Sequence, residues 1–332
     1  MRAKLLLVAG LLASFAVLAF LEACSGDDPV LPPAGVDDMD AAGGDGAAVD
    51  ASGIPIDGAG QADSAVTGNC DLAADFGVPE RLDLTRVDAG AGAYHVMYAR
   101  PSPAGTLFAS SLGYGANPTN TDTLDLFLIP VGAPPSTMPT PLGASAASAR
   151  DAAPTLLADG KTALFDRATT GGNRSLFQAG IASGSGPARV VLSGVDSFAD
   201  PYVVGDHVYY TASASGVTKV VRARYEGGKL VGAADVDGLG SDLASAPVVT
   251  PDEKTIYFAV AGNPPKAGTI WRATRADVSG DFTDARPLTG PINGLYEQAP
   301  TAVSADGCEL YLHARASTSD YFRAYRAKKP SR

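Results

Sequence analysis

Four carboxylates stand at repeating places in the chain. Asp151, Asp196, Asp242 and Glu297 each precede a proline (Pro154, Pro201, Pro247 and Pro300) by three to five residues. Carboxylates repeated around a ring can hold a cation or a basic peptide. Two of them held about 5–10 Å apart across a cleft can hydrolyse a glycosidic bond, and Asp151 with Glu297 is the first pair to test. Each can also do no more than solvate a loop or cap a turn. The other chemistry-bearing residues form no recognisable site. His95, His207 and His313 are the only histidines, lie in three separate stretches and lack metal-ligand spacing, so packing or surface roles are expected. Ser183-Gly184-Ser185-Gly186 lacks the leading glycine of a nucleophile elbow. Asp159-Gly160-Lys161-Thr162 imitates the end of a phosphate loop, but Thr155 stands where the first glycine must be, and the context is a β-turn. No catalytic residue, metal or cofactor is expected from these patterns.

The amino terminus carries an address. Arg2 and Lys4 precede an uncharged run from Leu5 to Leu21, the pattern of an export signal. Leu21-Glu22-Ala23-Cys24 resembles the lipobox of bacterial lipoproteins, with Glu22 in place of the small uncharged residue usual there. The resemblance implies that Cys24 is diacylated and becomes the new amino terminus, fixing the chain to one leaflet. Ser25 follows, not Asp, so the inner-membrane retention signal of some lipoproteins is absent. The expected location is the cell envelope, at the outer membrane, facing the periplasm or the outside. An uncleaved anchor helix is the alternative reading of the same run.

Charge divides the rest of the chain. The formal net charge is −11, yet Ser25 to Gly68 alone holds nine Asp and no Lys or Arg. That stretch is Gly, Ala, Asp and Pro without an aromatic residue, too apolar-poor to offset its ordering entropy. It reads as a disordered tether; its aspartates lack the Gly and Glu offsets of a calcium loop. From Asn69 onward the net is −3, with no basic patch to suggest nucleic acid. The expected organisation is a signal peptide over residues 1–23, a tether over 24–69 and one folded domain over 70–332.

That domain repeats. Thr106-Leu107-Phe108-Ala109, Thr162-Ala163-Leu164-Phe165, His207-Val208-Tyr209-Tyr210, Thr255-Ile256-Tyr257-Phe258 and Glu309-Leu310-Tyr311-Leu312 begin 56, 45, 48 and 54 residues apart. Each follows a turn such as Asp159-Gly160 or Asp306-Gly307, and upstream of most lies a proline with apolar residues. A second strand family follows, as in Ile270-Trp271-Arg272-Ala273 and Tyr321-Phe322-Arg323-Ala324, and a third includes Arg189-Val190-Val191-Leu192. Four strands every ~45–55 residues mark a radial repeat, whereas a sandwich would show strands every 8–12 residues without the longer period. No 3.6-residue apolar stripe appears. The fold class is all-β: a β-propeller of five four-stranded blades, with a sixth hidden near Leu112 to Ser148 as the alternative. The fifth unit ends without its closing strand, while Val78 to Leu84 is spare, so Pro79 to Leu84 should pair antiparallel with Tyr321 to Tyr325 and close the ring.

The unit of Pro, Asp-Gly, Tyr-Phe and Arg-Ala resembles the WD-repeat-like propeller repeats of TolB-type proteins over roughly residues 76 to 327, best in Ala246 to Arg275 and Ala299 to Tyr325. The resemblance implies protein partners in the envelope, although the amino-terminal domain of that family is missing. With Cys24 given to lipid, Cys70 and Cys308 remain, in a compartment where disulfides persist. Cys308 follows the Asp306-Gly307 turn and Cys70 precedes the strand that closes the same unit. Blade geometry puts the turn and the start of the closing strand on one face, about 10 Å apart by strand spacing, a gap that the nine residues from Cys70 to Pro79 can bridge, so a Cys70–Cys308 disulfide is expected, with two separate buried thiols as the alternative. The functional expectation is a lipid-anchored, non-enzymatic binding or scaffold propeller whose loops take an envelope protein, peptide or glycan. An envelope glycan hydrolase is the alternative.

Overall fold

A computed structural model describes residues 69–84, 94–114, 124–134, 139–142, 149–169, 173–182, 186–194, 196–262 and 268–332. Cys24, the signal segment, the tether up to residue 68 and parts of the loops expected to bind partners lie outside the described residues. The alternating runs form five antiparallel four-stranded sheets arranged as a five-bladed propeller. After β1 (Glu80–Arg81), blade 1 holds β2 (Tyr94–Pro101), β3 (Leu107–Tyr114), β4 (Leu124–Pro130) and β5 (Thr140–Pro141). Blade 2 holds β6 (Ala149–Leu156), β7 (Thr162–Thr169), β8 (Arg174–Gly180) and β9 (Arg189–Leu192). Blade 3 holds β10 (Ser197–Val204), β11 (His207–Ala214), β12 (Val217–Glu226) and β13 (Lys229–Asp235). Blade 4 holds β14 (Ala244–Val249), β15 (Thr255–Ala261), β16 (Gly268–Thr274) and β17 (Thr283–Pro287). Blade 5 holds β18 (Glu297–Val303), β19 (Glu309–Arg315) and β20 (Arg323–Lys328), with β1 as its outer strand. The stretch considered for a sixth blade supplies the end of β3 together with β4 and β5.

Burial falls from the axis outward. The inner strand β6 is almost wholly buried, whereas the outer strand β13 is almost wholly exposed. Five inner strands converge at the axis, so small residues fit there, and Ala152 and Ala153 are fully buried. Farther out the wedge widens, and Phe165, Tyr209 and Phe258 fill the space between sheets.

The ends of the chain meet in blade 5. Glu80 pairs with Arg326 and Arg81 with Tyr325, and the Leu82 amide donates to the Ala324 carbonyl. The closure is centred slightly later than Tyr321–Tyr325, because Phe322 turns its carbonyl to the Val96 amide of β2. Pairing continues outward through Gly77 to Lys328, Asp71 to Pro330 and Arg332 to Asn69. Cys70 and Cys308 are joined by a disulfide with Cα atoms 5.8 Å apart. Phe76, buried, packs edge-on to Tyr257 of blade 4, so the same segment also reaches the neighbouring blade.

The β14–β15 turn departs from the repeat in an informative way. Most units carry Gly in this turn, but here Glu253 adopts φ 53°, a left-handed conformation that costs a non-glycine residue about 1 kcal/mol or more. Its carboxylate accepts from Tyr209 and Arg222 of blade 3, lies 2.9 Å from His207 Nδ1 and 3.4 Å from Arg275 Nη2. Arg275 also donates to the Glu253 carbonyl. One turn residue therefore bolts blade 3 to blade 4.

Candidate binding site in the central channel

The prolines read as opening each unit sit inside the inner strands. Register breaks between Met97 and Arg100, Ala152 and Thr155, Ala199 and Tyr202, Ser245 and Val248, and Pro300 and Ala302 mark a bulge in every blade. A bulge leaves residues outside the ladder, and Pro154, Pro201 and Pro247 fall there without loss of a hydrogen bond, whereas Pro300 stays opposite Leu312 and Thr301 is the residue skipped. In four blades the bulge holds a non-glycine residue at positive φ: Tyr98, Ala153, Asp200 and Ala246. The bulges free backbone carbonyls around the axis. Arg100 collects them, donating from Nε to Thr301 O and from Nη1 to Ala153 O and Pro201 O, thereby linking blades 1, 5, 2 and 3. Arg100 is buried with Nη2 unpartnered, and burial lowers its pKa against the opposing pull of Asp200.

A second layer comes from the residue after the bulky run of each second strand: Ser110, Asp166, Thr211, Ala259 and His313. Asp166 accepts from Arg174 Nε and Nη2 at 2.8 and 2.5 Å, and from the Asp200 amide of the next blade at 3.1 Å. Thr211 repeats the device one blade on, since its hydroxyl accepts from the Ala246 amide and donates to Asp200. Ala259 offers no acceptor, and blade 5, which follows it, is the blade with no residue at positive φ in its inner strand. Burial raises the Asp166 pKa although Arg174 and Arg150 pull it down. His313 sits against Tyr98 and Phe322, its Nδ1 unpartnered, and burial drives its pKa to about 3. Tyr98 is pushed up to about 12, again chiefly by burial.

The four carboxylates singled out from the sequence do not share one environment. Asp151 is fully buried and grips Arg167 through both oxygens, at 2.6 and 2.8 Å. Glu297 also pairs strand to strand, accepting from Arg315 Nε and Nη2 through the single oxygen Oε2. Asp196 is half-buried before β10, and Asp242 is exposed, its carbonyl accepting from Thr218. Among the described residues no three His, Cys, Asp or Glu side chains gather as a metal site. The histidines fall apart likewise: His207 in the Glu253 network, His95 accepting from the Phe322 amide, His313 by the channel.

At one end the channel widens into a cavity of about 460 Å³, to which all five hairpins between first and second strands contribute. Pro103, Ala158, Gly205, Pro251 and Ala305 stand on those hairpins, and Arg100 and Tyr202 line the cavity as well. Cys308 lies at the same end, on the β18–β19 turn, and the disulfide holds Cys70 of the amino-terminal segment beside it.

No protein-family model and no curated protein matches the chain. Solved structures do. A GH43_1 enzyme from Xanthomonas citri superposes with a TM-score of 0.51 at 12% identity over 77% of this chain and 92% of its own. The alpha-L-arabinofuranosidase of Podospora anserina gives 0.50 at 11%, over 80% and 99%. TolB from Acinetobacter baumannii gives 0.44 at 14%, over 71% of this chain and 56% of its own. The likeness is one of fold.

Sequence reasoning missed Arg100, Asp166, Asp200 and Thr211. The signal was available: a polar residue follows the apolar core run in four of five second strands. Arg100 had none, since the carbonyls it binds belong to three other blades and exist as acceptors only because of the bulges.

Proposed function

We propose that the protein is a non-enzymatic binding propeller of the bacterial cell envelope, tethered to a membrane by lipid on Cys24 and recognising a protein, peptide or glycan. The observation that carries this is the state of the channel carboxylates. Asp151 and Asp166 have no exposed surface, and Asp151, Asp166 and Glu297 are each gripped by an arginine. A glycosidase needs one carboxyl free to give a proton to the leaving oxygen and another free to attack or to activate water. Locked pairs of this kind serve architecture, while the loops and the open channel end present recognition surface. Envelope location rests on the lipobox and the export run, and the resemblance to TolB-type repeats favours a protein partner. In-cell crosslinking followed by identification of what co-purifies tests this. Recovery of a defined envelope partner with the intact protein supports the reading; a cytoplasmic fraction free of lipid overturns it.

One observation favours a glycan hydrolase as the second reading. Asp125 at the start of β4 is half-buried, and burial together with the charge of Asp151 raises its pKa, the condition for a general acid. Hydrolysis of aryl glycosides by the wild type, abolished in Asp125→Asn, would establish that reading in place of the first.

A further inference from the structure

We propose that a cavity between blades 3 and 4 is a binding site for a small amino carboxylate, a molecule carrying one carboxylate and one ammonium on a short chain. The site shares no lining residue with the channel cavity and goes beyond the binding reading above. It holds about 290 Å³ and is walled by β12 and β13 of blade 3 and by the β16–β17 loop of blade 4. Charge of both signs stands on that wall.

The inner side is cationic. Arg222 and Arg275 both line the cavity, and Glu253 is the only carboxylate that either pairs with among the described residues. That carboxylate is fully occupied: Oε2 takes Tyr209 and both arginines, and Oε1 lies 2.9 Å from His207 Nδ1. Two guanidiniums therefore share one negative charge, and an uncompensated cation in a largely buried place is costly. Arg275 is 9% exposed, held by Nε on the Glu253 carbonyl and by Nη2 on the Tyr209 hydroxyl, with its guanidinium 4.4 Å from the centre of the Phe282 ring. Its Nη1, like that of Arg222, has no partner among the described residues yet keeps accessible surface, which for a side chain this buried opens on the cavity it lines. Two such groups suit a carboxylate, which accepts charge-assisted hydrogen bonds through both oxygens.

The rim is anionic. Asp237 and Asp281 also line the cavity, are exposed, and take part in no ion pair among the described residues. Asp281 precedes Phe282 in the chain, and the Phe282 amide donates to the Asp237 carbonyl, so both stand beside the ring on which Arg275 rests. Arg224 and Asp235 on the same wall are paired elsewhere, the first with Asp206 and Glu226, the second with Lys219. The arrangement selects by sign. A plain carboxylate must pass two unpaired carboxylates to reach the arginines, and a plain amine meets their surplus charge. Inorganic phosphate brings more negative charge than the single unit left uncompensated. An amino carboxylate places its carboxylate on Arg222 and Arg275 and its ammonium at Asp237 and Asp281, and the volume suits a molecule of that size.

The test is calorimetric titration of the full-length protein with glycine, 4-aminobutyrate and 6-aminohexanoate, which differ in the separation of their charges. Butyrate, butylamine and inorganic phosphate are the single-sign controls. Saturable one-to-one binding of at least one amino carboxylate, at least tenfold tighter than every control, is expected. The double variant Asp237→Asn with Asp281→Asn alters exposed groups only. It should weaken that amino carboxylate at least tenfold and leave butyrate bound as well as before or better. Arg222→Gln should weaken the amino carboxylate and butyrate alike; if that variant fails to fold, the double variant decides. No saturable binding of any of the three up to about 10 mM, equal affinity for the amino carboxylate and butyrate, preference for phosphate, or binding indifferent to the double variant would overturn the proposal. Those failures leave the envelope-binding reading standing, since that reading is tested by crosslinking and by localisation.

Discussion

Glu253 shows how a single side chain can outweigh its own backbone. Glycine would relieve the left-handed φ at that turn, yet the carboxylate satisfies groups from blade 3 and Arg275 of its own blade in a largely buried setting. Glu253→Ala should therefore cost about 2–4 kcal/mol, because two arginines and the Tyr209 hydroxyl lose a buried partner. Urea unfolding of the two proteins measures it, and a loss below about 0.5 kcal/mol would show the network to be ornamental. His313 makes a prediction about pH. Its folded pKa of about 3 lies below the ordinary 6.5, with burial the main cause, Arg100 and Arg150 adding to it and Asp200 opposing. The unfolded chain therefore binds the proton more readily, and the contribution of neutral His313 to stability is lost as pH falls from about 6.5 toward 3. Thermal melts of wild type and His313→Gln should differ most at neutral pH and converge as the solution is acidified. A constant difference across that range would rule the mechanism out.

At the scale of the element, the closing strand is short, two residues by its ladder, and the covalent bond beside it compensates. The disulfide closes a span of 238 residues. In the chain-entropy model such a loop lowers the entropy of the unfolded chain enough to stabilise the fold by about 5 kcal/mol. The double variant Cys70→Ser with Cys308→Ser should fall by up to that amount in urea unfolding, with blade 5 the first region to lose amide protection. Two thiols alkylating in the unreduced, unfolded wild type, seen by intact mass, would remove the premise. The bulges are the other element-scale device. They place Pro154, Pro201 and Pro247 where the ladder needs no donor, and they turn carbonyls inward to Arg100.

At the scale of the whole molecule, charge is unevenly divided along the sequence. Ser25 to Gly68 holds nine Asp and no Lys or Arg, while the sequence from Asn69 onward is nearly neutral. Cys24→Ala is expected to leave the exported protein unlipidated and to release it from the membrane fraction. A variant that still pellets with membranes after export would mean that the apolar run at the amino terminus is acting as an anchor.

The repeat was legible in the chain because its causes are local. Turn residues such as Asp159, Asp252 and Asp306 hold the following amides by short-range hydrogen bonds, and strand alternation is set by neighbours two residues apart. The spare strand at Val78 to Leu84 and the truncated fifth unit together implied the closed ring, since open sheet edges are avoided. The carboxylates were legible as repeating positions but not as a site. Asp151 and Glu297 are neutralised by residues opposite them on the second strand, a pairing set by register across a hairpin. Arg100 lay further out of reach. Its partners are 53, 101 and 201 residues away, on carbonyls exposed by bulges that no local pattern announces. What composition and spacing determined was the architecture. What only the closed ring decided was which charges meet at its axis, because that depends on five strands converging from distant parts of the chain.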